Sequence, residues 1–346
     1  MSTEFIYSNK SLFKNMDEKQ SDLSLEKLRN GNNVPGDNGR CVTNVSIPDW
    51  VDMEKFKRAK QLHNRYMSSI SFGHLSGLFM IFLYTNQIEP FRINSNESRF
   101  VSLLRRYIST VNHVRKWYTG DIWNSEDPAH KSLLIVRNMH KKIADKTNKQ
   151  FSDGSFMFGS QFAMAMTQFA FVGLITLFPT KLAIDWNKED TECFLHFWRC
   201  IGYLLGMEDQ YNICKGSYEN VTLLFNEILE KEIKPGIKKP LEESVQMARD
   251  IVTTFRCVNP MLSWKSLSEY WKENLGISSE CNLSIFDWLI YWWFRLVFNY
   301  LLWFQILRNG FNILTNSSVN KVLNNMAFYE NRARKLETKL NRRKCG

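Results

Sequence analysis

Apolar positions recur along most of this chain at the three-to-four-residue spacing of helix faces, with none of the strict alternation that marks strands. The pattern predicts helices over residues 53–65, 98–118, 128–147, 190–205, 217–231 and 240–257, and apolar runs over 74–84 and 161–177. The run at 74–84 (HLSGLFMIFLY) is too short to span a bilayer and predicts a buried helix. The punctuation agrees: 128–147 opens on Pro128, 161–177 ends before Pro179, and 190–205 opens on acids and stops at Gly206. No internal repeat and no hairpin signal interrupts the series. The chain reads all-α.

The two ends depart from this pattern. Residues 1–46 are polar, with Asn-Gly, Pro-Gly and Asp-Asn-Gly clusters, and predict a disordered leader; order is expected to begin at Ile47-Pro48-Asp49-Trp50. Near the other end, 285–304 reads IFDWLIYWWFRLVFNYLLWF, with charges only at Asp287 and Arg295. Its length permits a spanning helix, but the central Arg and the Trp and Tyr crowding favour a segment lying at a membrane interface; a core helix is the third reading. The expected organisation is therefore a leader over 1–46, a helical domain over 47–280, an aromatic, membrane-associated segment over 281–325 and a basic tail over 326–346.

Charge sharpens that picture. The net charge is +10, and from Arg332 to Lys344 seven basic residues face one acid, Glu337. A basic tail attracts nucleic acid or anionic headgroups. With no zinc-finger spacing or other nucleic-acid module present, no nucleic-acid partner is expected and a membrane surface is favoured, a solvated tail being the plain alternative. Seven scattered cysteines without CxxC spacing argue against a disulfide framework or zinc site and for reduced thiols. The N-terminus lacks an apolar leader, so no signal peptide is expected, and the thiols are expected to face the cytosol. Apolar residues at 44% and aromatics at 14% suit a flat hydrophobic ligand as well as an ordinary large core.

No phosphate loop, HExxH, GxSxG or Ser/His/Asp arrangement occurs, which leaves His63, His74, His113, His130, His140 and His196 as candidate chemistry. His140 stands out within LLIVRNMHKK, where it shares one helix face with Leu133 and Val136. A neutral imidazole on an apolar face can ligate iron through one nitrogen while bulky neighbours exclude water. Upstream, Arg106, Ser109, Thr110 and His113 fall at helical spacing on a single stripe. Facing inward, the stripe would have to bond a polar group, because unpaired buried polar atoms are costly; facing outward, it would simply be solvated.

These residues carry a resemblance. Arg106-Tyr-Ile-Ser109-Thr110, followed by Val136-Arg-Asn-Met-His140 with His140 thirty residues after Thr110, resembles the two motifs of the MpaB-type ER-bound oxygenase and rubber oxygenase (latex clearing protein) family. The stretches 164–173 and 197–206 are also similar to that family, and the likeness runs over roughly 50–260. It implies a single helical domain with a globin-like core around one haem b. His140 would be the iron ligand, Arg106 and Val136 further cofactor contacts, and Arg106, Ser109 and Thr110 the catalytic set on the distal side. The implied activity is use of molecular oxygen on a hydrophobic, isoprenoid-like small molecule, with cleavage of a C=C bond to carbonyl products, at an intracellular membrane, the ER. The family's distal Lys is Ser109 here, so the sixth iron position is open or water-filled, or the chemistry differs; a non-catalytic haem- or lipid-binding protein is the alternative. Glu89, ahead of Pro90, is a candidate base or a loop residue; His113 is a rival ligand, and His196 reads as structural.

Overall fold

Polar caps mark where the helices begin. Side-chain oxygens of Asp52, Ser98, Ser160, Asn187, Ser217, Ser263 and Ser284 each accept a backbone N–H from the first turn that follows. Each satisfies a donor that the helix itself cannot pair. The structure, a computed structural model, describes residues 23–40, 47–84, 98–150, 157–279 and 282–345. Among the described residues no strand forms; one isolated bridge joins Pro35 to Ser160.

In chain order the main helices are α1 (Leu25–Arg29), α2 (Met53–Arg65), α3 (Met67–Tyr84), α4 (Arg99–Thr119), α5 (Pro128–Gln150), α6 (Gln161–Leu177) and α7 (Lys188–Leu204). They are followed by α8 (Tyr218–Ile228), α9 (Lys234–Lys238), α10 (Glu242–Phe255), α11 (Trp264–Asn274), α12 (Ile285–Asn299), α13 (Gln305–Asn324) and α14 (Met326–Cys345). The reading of 53–65 and 161–177 coincides with α2 and α6. The predicted helix 217–231 is interrupted: a π-helical turn at Leu229–Ile233 separates α8 from α9, next to Pro235, which has no N–H to continue an α ladder.

The core is built in pairs. α3 and α6 lie against each other so closely that Gly73 and Gly77 are needed where they cross. α2 packs on α7 through stacked Phe56 and Phe197, 5.1 Å between centroids, and Tyr118 of α4 stacks on the other side of that layer at 4.3 Å from Phe197. α4 and α5 are joined by Ser132, whose hydroxyl accepts from Trp117 Nε1 at 3.1 Å and pairs with His113 Nδ1 at 2.6 Å.

Both ends differ from the sequence reading. Residues 23–40 fall within the expected leader, yet Leu25 and Leu28 are buried in the core and Gln161 of α6 binds the chain at Pro35 and Gly36. The rest of that expected leader, 1–22 and 41–46, lies outside the described residues. At the other end, 285–304 is not one helix: α12 stops at Asn299, a short turn spans Leu301–Trp303, and α13 then departs. No single described helix is long and apolar enough to cross a membrane; α2 and α3 pass that test only as a pair bent by 94°. The basic tail forms α14, which docks on α4. Arg105 holds Glu330 at 2.6 and 2.8 Å, while Val322 and Ala333 join Phe100, Val101, Leu104 and Ile108 in a small second core.

Candidate functional site

One cavity of about 300 Å³ opens between α3, α4, α5, α6 and the N-terminal segment. α5 provides its polar wall because Arg137, His140, Lys141 and Ala144 fall at i, i+3, i+4 and i+7 and so share one helix face. This is not the face expected from the sequence. Leu133 and Val136 turn into the main core, and Val136 does not line the cavity. His140 sits where the two stripes meet, since a 3.6-residue turn shifts a seven-residue repeat gradually around the helix.

His140 Nδ1 is sealed from solvent and has no hydrogen-bond partner. Burial, helped by the positive charge of Arg106, pushes its pKa down to about 4, so the imidazole is neutral at pH 7 and keeps a lone pair for a metal. Arg106 comes from α4 and lines the same cavity. Thus two residues thirty-four positions apart in sequence, Arg106 and His140, are brought to one site.

The remainder of the predicted stripe disperses. Ser109 is exposed and does not line the cavity. Thr110 Oγ1 donates to the Arg106 carbonyl at 3.1 Å, within its own helix, and likewise lies outside the lining. His113 is engaged by Ser132. His196 Nε2 accepts the Asp52 backbone N–H at 3.0 Å, a structural role at the start of α2. His63 stacks on Tyr118 at 3.8 Å, and His130 Nδ1 pairs with the Ile122 carbonyl at 2.8 Å. Glu89 lies outside the described residues.

Sequence reasoning missed Arg137 and Asp37. Arg137 is buried, and its Nε donates to Asp37 Oδ2 at 3.0 Å, with a second bond from Nη2 to Oδ1. Burial raises the Asp37 pKa, but the Arg137 hydrogen bond and charge and the Gly39 N–H outweigh it and leave the carboxyl below its usual value. The signal available in the sequence was the i, i+3 spacing of Arg137 to His140; nothing local pointed to Asp37.

The other walls are apolar: Ile81 and Phe82 from α3, Phe162 and Met166 from α6, with Met157 and Phe158 just before α6. Methionines are unbranched and reshape at low cost, so this wall adapts to a bulky ligand. No cluster of three or more His, Cys, Asp or Glu exists among the described residues, so a bare ion held by several side chains is not what this site offers. One neutral His, flanking cations and apolar walls form a donor set that would suit haem: a nitrogen for the iron, partners for carboxylates and a dry surround. The residues present fit that group.

A solved structure of latex clearing protein in the closed state is similar to this chain, with a TM-score of 0.49 and 13% identity over 85% of this chain and 76% of that one. A comparison with curated proteins found no match. The family described as ER-bound oxygenase mpaB/B′/rubber oxygenase, catalytic domain, matches residues 66–285, well over half of the chain, and the protein belongs to it.

Proposed function

We propose that this protein is a haem-b-dependent oxygenase acting on a hydrophobic, isoprenoid-like chain. The observation that carries the reading is His140: a neutral imidazole with a sealed, unpartnered nitrogen, lining a mostly apolar cavity in a chain of an oxygenase family. When bound, haem would supply the redox chemistry of iron toward molecular oxygen. The chain's own residues do the rest. His140 would ligate, and burial, with the positive charge of Arg106 added to it, keeps the imidazole deprotonated. Phe82, Phe158 and Phe162 exclude water and accept an apolar chain. Cleavage of a C=C bond would place one atom of O₂ on each carbon and yield two carbonyl products.

The reading includes a membrane surface as the source of substrate, at the cytosolic face of the ER. Ile285, Trp288, Leu289 and Trp292 point outward from α12 at helical spacing, while Ile290, Phe294, Val297 and Phe298 fill its buried face. Arg256 lies over the Phe286 ring at 5.1 Å and Arg295 over Trp292 at 5.0 Å, so cations flank the exposed aromatic residues. Aromatic rings beside basic groups are the makeup of interfacial helices.

A second reading, a haem- or lipid-binding protein without turnover, draws on Ser109 and Thr110: both lie outside the cavity, leaving Arg106 as the residue of that motif that reaches it. One preparation tests both. The protein produced with ample haem should show a Soret band that shifts on reduction, and should consume oxygen with a polyprenyl substrate. A Soret band without oxygen uptake selects the second reading, and a colourless folded protein rejects the oxygenase and the haem form of the second reading, leaving only its lipid-binding form.

A further inference from the structure

The N-terminal segment forms a strap across one side of the cavity. Pro35, Gly36 and Asp37 line it, from a part of the chain that precedes the matched family domain. The strap is fixed by Gln161, whose side-chain nitrogen donates to the carbonyls of Pro35 (3.0 Å), Gly36 (3.1 Å) and Gly206 (3.3 Å). Gly36 N–H donates to the Gly159 carbonyl at 2.9 Å, and Asn38 N–H to the Gly206 carbonyl at 3.1 Å. A Cβ at Gly36 would lie 2.3 Å from the Gly159 oxygen, so this path admits only glycine there.

What the strap delivers is Asp37, and Asp37 holds Arg137. Two of the three guanidinium nitrogens are engaged by the carboxylate, a paired geometry that fixes the plane of the group. The third, Nη1, is buried without a hydrogen-bond partner on a residue that lines the cavity and whose side chain is 6% exposed. A buried guanidinium N–H is costly to leave unpaired. Three cations, Arg106, Arg137 and Lys141, line the cavity with two acids, Asp37 and Asp145; Asp37 pairs with Arg137, and Asp145 with Lys141 at 3.6 Å.

We infer that Arg137, oriented by Asp37 of the strap, is the carboxylate-binding residue of this cavity, with Asp37 a positioning residue rather than a ligand. The carboxylate can belong to the haem periphery or to an acid-terminated apolar chain. The inference rests on the cavity being the ligand site, and only its haem form rests on the haem reading.

Affinity ratios for paired ligands test it: iron protoporphyrin IX against its dimethyl ester, and a long-chain fatty acid against the matching alcohol. The unsubstituted protein is expected to favour the acid form at least tenfold in one pair, and that pair identifies the source of the carboxylate. Arg137→Gln should reduce that preference to near unity while leaving ester or alcohol binding within about twofold. Asp37→Asn keeps the guanidinium but frees it, and should lower the preference severalfold by weakening acid binding alone; it serves also if Arg137→Gln does not fold. The inference is overturned if the unsubstituted protein shows no preference in either pair, if a folded Arg137→Gln retains it, or if Asp37→Asn weakens acid and neutral ligands equally. Failure of both porphyrins to bind would reject the haem reading, while the fatty-acid pair still decides the role of Arg137.

Discussion

Gly77 of α3 lies directly against the backbone of Ala170 in α6: a Cβ at position 77 would come within 1.8 Å of the Ala170 carbonyl oxygen. That contact, with Gly73 against Ile175, sets the spacing of the two helices whose next turns carry Ile81 and Phe82 on one side and Met166 on the other, all lining the cavity. Helix spacing and cavity shape are therefore one property.

Gly77→Ala is expected to destabilise the protein by about 1–3 kcal/mol, because the obstacle is backbone and cannot rotate away. Gly310→Ala on α13 is the control. Nothing lies within 4 Å of a Cβ there, and the change should stabilise by about 0.4–1 kcal/mol. Denaturant midpoints for the two variants decide it: shifts of the same sign would remove the α3–α6 contact as the cause.

The helices could be read because each carries its own information: a cap, an apolar face and a stop. α2 and α6 are clear cases, since Asp52 and Ser160 cap them locally. The weakly amphipathic α13, with Gly310 and many Asn and Ser, gives no such periodic signal and was not expected. Residues 23–40, within the expected leader over 1–46, escape the pattern for a similar reason. Two buried leucines make no period, and the segment is ordered by Gln161, whose bonds to it span 125 and 126 positions in sequence. At the site, the place of His140 on a cavity wall was legible because a histidine on an otherwise apolar helix face stands out by residue type. Ser109 shows the limit: spacing placed it on a stripe with Arg106, but the helix turns it to solvent.

His140→Ala should abolish the Soret band while leaving helical content unchanged, since the imidazole makes no hydrogen bond through Nδ1 that the fold depends on. His113→Ala should do the reverse, keeping the band and losing about 1 kcal/mol of stability with its bond to Ser132. Absorption spectra with and without reductant, together with circular dichroism, separate the two. A full Soret band in His140→Ala would end its role as ligand.

Acid should unfold the apoprotein from a definite pH downward. Burial pushes His63, His140 and His196 down to about 4 and His74 to about 3, whereas an unfolded chain binds these protons near the ordinary value of 6.5. Below about 6.5 the unfolded state takes up protons that the folded state refuses, so stability falls with pH until the folded pKa values are reached. Above about pH 7 these groups are neutral in both states and contribute no slope. Denaturant midpoints should hold steady from about pH 8 to 7 and decline from about 6.5 to 4. A flat profile across the lower interval would contradict the burial of these four imidazoles.

The outward face of α12 offers the last test, because the membrane reading and simple core packing predict different losses. Trp288 and Trp292 are 52% and 46% exposed, so replacing both with Ser removes little that the fold uses. The melting temperature should shift by only a few degrees. In an interface the same rings would each bury further apolar area, and their loss should reduce partitioning onto anionic phospholipid vesicles about tenfold or more. Ile290→Ser on the buried face should do the opposite, lowering stability severely through an unpartnered polar group in the core. Flotation with vesicles and thermal melts of the two variants give the answer. Equal vesicle binding by the Trp288→Ser/Trp292→Ser protein and its parent would show that α12 is not the membrane-facing element.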